Sequence, residues 1–196
     1  EVNGEGVFIE FNKAALSRWL DIPSVKALSQ RYEECYEEFC VSKGWTLNIK
    51  RNAIYVLMHT FAHLLIKQMS MASGYSSSAI RERIYFNEKM TGILLYTGSA
   101  DKEGSLGGLV ELGNINKLVP LMKDAFQEAL LCTNDPECMS NVPAGNNLNG
   151  AACHSCCMIS ETACENGNRM LDRGLVVPIA LREKESFFRE LVCELC

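Results

Sequence analysis

The sequence predicts an α+β fold, with a buried central helix packed on a small mixed sheet and a cysteine-rich loop and helix region stapled to it. Three observations carry this. Residues 52–73 place apolar side chains around nearly a whole helical circumference, as in a helix enclosed on all sides. Ile80–Phe86 and Gly92–Thr97 have the length and residue types of strands. Six of the ten cysteines crowd between positions 132 and 164, beside long helical patterns, whereas disulfide-framed domains are small, loop-rich and carry cysteines throughout.

In chain order, Gly6–Phe11 (GVFIEF) reads as a short strand and Asn12–Leu20 as a short helix. Ser24 is placed to cap a second helix, with Val25, Leu28, Tyr32, Cys35, Tyr36 and Phe39 at helical spacing. Its opposite face carries Glu33, Glu34, Glu37 and Glu38, a solvated surface, and Cys35 and Cys40 read as core thiols. The long helix over 52–73 ends at Gly74 in the C-cap role. On it, His59, His63 and Lys67 recur every four residues and share one stripe. Ile80, Glu82, Ile84 and Phe86 share one strand face, and the continuous apolar run Gly92–Thr97 suits a central strand. After a glycine-rich loop from Asp101 to Gly113, Asn114 or Asn116 caps a helix through Leu130. A last amphipathic helix is expected over Glu183–Cys196, burying Phe187, Phe188, Leu191 and Leu195. The expected organisation is an α/β core over 1–131, a cysteine-rich segment over 132–174, and a C-terminal strand and helix over 175–196 packing back on the core.

A net charge of −5 argues against non-specific DNA binding by the chain as a whole, while leaving a local basic surface open. The longest apolar run is broken by His59, His63, Lys67 and Gln68, which speaks against a membrane span. Glu1-Val2-Asn3-Gly4 has neither an initiator Met nor a signal peptide, so the chain reads as part of a longer protein, and cysteines clustered as metal ligands rather than spread as a disulfide framework lead to the expectation of a reduced, cytoplasmic one.

The cysteine spacing is Cys132-x5-Cys138-x14-Cys153-x2-Cys156-Cys157-x6-Cys164. A structural zinc ion takes four soft donors in a tetrahedron. Cys153-His154-Ser155-Cys156 is a short knuckle able to supply two, and Asn134-Asp135-Pro136 is a turn that folds Cys132 and Cys138 together. The expected ligands are therefore Cys132, Cys138, Cys153 and Cys156, with Cys164 in reserve. The polar stretch 133–149 has little means of ordering itself without such a clip, and metal binding supplies that folding free energy. Cys193 and Cys196 fall at the end of an amphipathic helix, where packing explains them.

Several strings together carry a family resemblance: GVFIEF, HTFAHLLIKQMSMASGYSSSAIRERIY (59–85), GILLYTGSADKEGSLGGLVELG (92–113) and NGAACHSCCMISETACENGNRMLDR (149–173). Over nearly its whole length the chain resembles the domain of unknown function at the C-terminal end of MrfA-type repair helicases, in the version of the DrmB family of the DISARM anti-phage system. The resemblance implies a helicase-associated module with a four-cysteine zinc site, a helicase or ATPase subunit as partner, and DNA nearby. It implies no catalytic residue.

Two further sets are left by the pattern. His63, Glu82, Asp101 and the loop Gly104–Gly108 read either as a buried hydrogen-bond network or as a site for a metal or phosphate. The second reading would make the protein a metal-dependent, nuclease-like enzyme centred on His63, Glu82 and Asp101. HTFAH has zinc-protease spacing, but Thr60 stands where that chemistry needs Glu. No Walker loop or nucleotide fingerprint is present, so an autonomous ATPase is excluded and no small-molecule cofactor is expected. Arg169 and Arg173, four apart in a stretch expected to be helical over Glu165–Gly174, would share a face able to meet DNA phosphates.

Overall fold

The structure is a computed structural model, and it describes residues 4–46, 51–87, 89–97 and 108–195. The elements run β1 (Glu5–Glu10), α1 (Lys13–Leu20), α2 (Pro23–Lys43), α3 (Ala53–Ser73), β2 (Ile80–Phe86), β3 (Thr91–Thr97), α4 (Gly108–Leu112), α5 (Ile115–Ala129), α6 (Glu137–Ser140) and α7 (Arg189–Leu195). The fold is α+β.

The three strands are ordered β1-β3-β2, so the apolar run Thr91–Thr97 is central as expected. Both pairings are antiparallel, with Val7 opposite Leu95 and Glu82 opposite Leu95 from the other side. The sheet expected to be mixed is thus antiparallel throughout its described strands; β2 and β3 are consecutive in the chain, with the Asn87 N–H bonded to the Met90 carbonyl (3.0 Å) where they meet. One sheet face, with Val7, Ile80, Glu82, Ile93 and Leu95, is buried.

That face packs on α3, which is buried along most of its length, from Ala53 to Met69. Asn52 caps its first turn through bonds from the Ile54 and Tyr55 N–H groups, and Gly74 closes it with φ 75°. Substitution there would force a side chain into the left-handed region. α1 and α5 also begin with Asn caps, at Asn12 and Asn114. The second helix corrects an expectation: Pro23 occupies its first turn and Ile22 the cap position, so Ser24 lies inside the helix.

Burial runs continuously from these helices into the cysteine-rich segment. Ala151, Ala152, Cys156, Cys157, Met170 and Leu171 share one core with Val56, Phe61 and Leu65. The segment from 175 onward packs back on this core through Phe187 and Phe188, but contains no strand among the described residues. Instead Arg173–Leu175 and Glu183–Glu185 each form a short 3-10 turn. The Phe187 and Phe188 N–H groups bond the carbonyls of Leu175 and Val176. The final helix begins only at Arg189, so Phe187 and Phe188 precede it; Cys196 lies outside the described residues.

The stretch Glu165–Gly174, expected to be helical, is a chain of turns. Gly167, Asn168 and Met170 adopt φ of 55°, 57° and 66°, which interrupts any right-handed helix. Asp172 lies sealed beneath it. Its carboxylate takes bonds from Tyr32 Oη (2.7 Å), Arg182 Nη1 and Nη2 (3.1 and 2.7 Å) and the N–H groups of Ala151 and Gly174. Gly150 makes room for this: a Cβ there would collide with the Asp172 carboxylate and the Tyr32 hydroxyl.

Candidate metal centre

Three turns assemble the cysteine cluster. Cys132 follows α5 directly, residues 133–136 turn back with a cis Asp135–Pro136 peptide, and Cys138 sits in α6. The knuckle is closed by Cys156 and Cys157 N–H bonds to the Cys153 carbonyl, at 3.3 and 3.0 Å. The sulfurs of Cys132, Cys138, Cys153 and Cys156 all lie within 4.8 Å of one another. Cys132–Cys153 is 3.4 Å, and Cys138–Cys156 and Cys153–Cys156 are each 3.7 Å. These are far too long for a disulfide. They match the edge of about 3.8 Å of a tetrahedron with metal–sulfur bonds of about 2.3 Å.

Backbone and side-chain N–H groups already point at these sulfurs. Asn134 N donates to Cys132 Sγ (3.4 Å), Cys153 N to Cys156 Sγ (3.3 Å) and Asn134 Nδ2 to Cys153 Sγ (3.4 Å). Such donors favour thiolate, the form a metal binds. Cys156 is drawn down to about 5, chiefly by the hydrogen bond from the buried Cys157 thiol. Cys138 is pushed up by burial and by the neighbouring Cys156 charge. Burial opposes ionisation of Cys153 too, but bonds from Cys132 and Asn134 outweigh it. Four crowded thiols that cannot all ionise unaided are what a divalent cation resolves, and the set fits zinc.

Arg173 holds this cluster to the core. Its side chain is wholly buried and binds both oxygens of Asp135 through Nη2 (2.6 and 2.7 Å). Nη1 reaches the Ala129 and Leu130 carbonyls at the end of α5 (2.9 and 3.1 Å). Asp135 in turn accepts from Cys132 N and Met139 N. The shared face expected for Arg169 and Arg173 is therefore corrected: Arg173 faces inward and is spent on Asp135, while Arg169 is exposed. The positive-φ turns between them set the two guanidiniums apart.

Cys164, the reserve ligand, lies away from the four. It belongs with His59, His63 and Glu82. His63 and Glu82 meet, with Nε2–Oε1 at 3.2 Å, and both side chains are fully buried. Burial opposes charge on both, yet the facing imidazoles hold Glu82 below the usual carboxylate range, while Glu82 lifts His59 to about 10. Asp101 and Gly104 lie outside the described residues. The structure gives His63 and Glu82 no open cleft among the described residues, where the enzyme reading requires one. Sequence reasoning missed His59 as a member of this set, although its four-residue spacing from His63 carried the signal.

Comparison with known proteins follows the same lines. Residues 61–157 match the family described as the MrfA Zn-binding domain. The chain is 53% identical over 194 residues, 98% of its length, to the "DISARM protein DrmB" of Bacillus paralicheniformis (strain ATCC 9945a / NCIMB 11709 / CD-2). It spans 35% of the length of that relative. No helix among the described residues is long and apolar enough to cross a membrane.

Proposed function

Since the chain is a zinc-binding domain of the MrfA/DrmB type, we propose that it serves a DISARM-type anti-phage defence protein as a non-catalytic module, contacting DNA and a partner helicase. Cys132, Cys138, Cys153 and Cys156 hold its zinc. The ion is structural in this reading: four protein donors close its shell and leave no open position for substrate.

One observation carries the DNA contact. Tyr36, Phe39, Trp45, Arg51 and Arg169 line a surface cleft beside the turns at 165–170. Trp45 is exposed and meets the Phe39 ring edge-on, with centroids 5.7 Å apart. Arg169 stands 5.5 Å over Phe39, and Arg51 4.7 Å over Tyr36. Aromatic faces interleaved with guanidiniums are how proteins hold single strands without reading sequence. Glu165, which also lines the cleft, is paired with Arg83 at 2.7 Å. The helicase partner rests on the family resemblance carried by the sequence motifs.

The test is a Trp45→Ala, Arg169→Ala variant titrated with a fluorescent single-stranded oligonucleotide across a salt series. Losing one stacked base should cost about 1–3 kcal/mol of affinity, and losing one phosphate contact should flatten the salt dependence by about one unit of slope or slightly less. Zinc content and melting temperature serve as controls. Unchanged affinity and slope in a folded, zinc-loaded variant would remove the DNA contact from this face.

A further inference from the structure

The core contains a second convergence of metal-capable side chains, separate from the cysteine cluster. His59 and His63 stand one turn apart on α3, Glu82 comes from the inner face of β2, and Cys164 comes from the turn segment. One ligand atom from each lies within 4.8 Å of all the others, and all four residues are buried. His59 Nε2 is 2.8 Å from Glu82 Oε1 and 3.2 Å from Cys164 Sγ, and His63 Nε2 is 3.2 Å from Glu82 Oε1.

Each group is oriented from behind. His59 Nδ1 bonds the Met170 carbonyl (3.1 Å) and His63 Nδ1 bonds the Cys157 carbonyl (2.9 Å). A carbonyl only accepts, so both Nδ1 atoms carry a proton and each ring turns Nε2 inward, where a metal would take the place of any proton that Nε2 shares with Glu82. This backing of imidazole by a carbonyl is the usual support of a metal-bound histidine. Cys164 Sγ accepts two backbone N–H bonds, from Asn166 (3.3 Å) and Asn168 (3.2 Å), the environment of a thiolate. Docking of the segment on the edge of β2, through Glu82 N to the Ala163 carbonyl (3.2 Å), sets Cys164 beside the carboxylate.

Two imidazole Nε2 atoms, a carboxylate and a sulfur thus face one another, and all four can ligate a metal once their protons are lost. Glu82 Oε2, buried with them, has no hydrogen-bond partner among the described residues, although buried carboxylate oxygens ordinarily find one. We propose that His59, His63, Glu82 and Cys164 form a second, structural metal site for a divalent transition-metal cation, zinc by preference. Two neutral imidazoles, one carboxylate and one thiolate balance a doubly positive ion, so the site is neutral and its burial is affordable in electrostatic terms. The mixed nitrogen, oxygen and sulfur donors suit zinc, and four protein ligands with no open position make the site structural. Imidazole and carboxylate donors at about 2.0–2.2 Å from the metal stand about 3.3 Å or slightly more apart in a tetrahedron. The ion would therefore part the 2.8 Å His59–Glu82 contact by about half an ångström and the 3.2 Å His59–Cys164 contact by about a third, and leave His63–Glu82 nearly in place.

The test uses the full chain, purified reduced and without chelator. Elemental analysis from manganese to zinc should find two equivalents of metal per chain. X-ray absorption at the zinc edge should show mixed sulfur and nitrogen/oxygen scattering. Cys164→Ser should bring the count from two to one and leave an all-sulfur shell, while Cys153→Ser should remove the other equivalent. One zinc per chain with only sulfur neighbours would overturn the second site and leave the cysteine site standing. So would two equivalents retained in folded Cys164→Ser. If that variant fails to fold, the absorption spectrum of the unaltered chain decides alone.

Discussion

The cysteine cluster and the His59–His63–Glu82–Cys164 cluster are built in opposite ways within one core. The first is made of turns: its four thiols fall within residues 132–156, and Cys132 and Cys153 are half-exposed. The second is made of regular elements, with ligands from a helix, a strand and a remote turn, all of them buried. Turns have little packing of their own, so the first cluster orders its segment through its ligands. A helix on a sheet is ordered before any ligand arrives, so the second fastens the turn segment onto a framework already present. The two touch at Cys156-Cys157, where one residue gives its sulfur to the first cluster and the next gives its carbonyl to His63.

The largest effect should follow from removing a ligand of the turn-built cluster. Cys156→Ser is expected to lose one zinc and to lower stability by several kcal/mol, a large part of the ~10 kcal/mol that structural zinc supplies. Elemental analysis and chemical denaturation would measure both. Loss of the metal with stability unchanged would mean that these turns hold themselves.

How the two clusters read in sequence follows from their construction. The knuckle Cys153–Cys156 and the turn between Cys132 and Cys138 are local patterns, so all four thiols were legible from spacing. The central helix, the hairpin strands and the burial of Glu82 were legible for the same reason, through short periodicities. The second cluster joins residues as far apart as His59 and Cys164, and no spacing records that distance. Cys164 therefore read as a spare for the nearer site. Asn166-Gly167-Asn168 is a turn string, and it was overridden by the four-residue spacing of Arg169 and Arg173. Burial of Arg173 was not legible at all, because its partner Asp135 is set by tertiary packing.

Arg173 supplies the next test, since it ties the cysteine turns to the end of α5. Arg173→Met takes the guanidinium from Asp135; breaking a buried pair from one side costs about 3–5 kcal/mol, and the low end is expected here because Asp135 is partly exposed and keeps its Cys132 and Met139 N–H bonds. Denaturant unfolding should register it. A cost near zero would show that the turns need only their metal. A smaller effect, of about 1–3 kcal/mol, is expected from Asn168→Gly. That change keeps the backbone conformation but removes the side-chain bonds to Ile159 N and O (3.1 and 2.9 Å) that shape the turn around Cys164. It should loosen the second cluster alone, so release of zinc from the cysteine cluster to a competing chelator should stay unchanged. Faster release there would mean the two clusters are one cooperative unit. The smallest effect on stability belongs to Arg169→Ala, which touches neither cluster and should leave the melting temperature within about 0.5 kcal/mol of equivalent stability. A large drop would give that side chain a structural role.

The most direct measurement of the two-cluster arrangement is anomalous diffraction at the zinc edge from crystals of the reduced chain. One peak should stand at the centre of the Cys132, Cys138, Cys153 and Cys156 sulfurs, and a second between His59, His63, Glu82 and Cys164. A peak absent from the first position, or zinc bound by a different set of cysteines, would contradict the zinc-stapled fold described above.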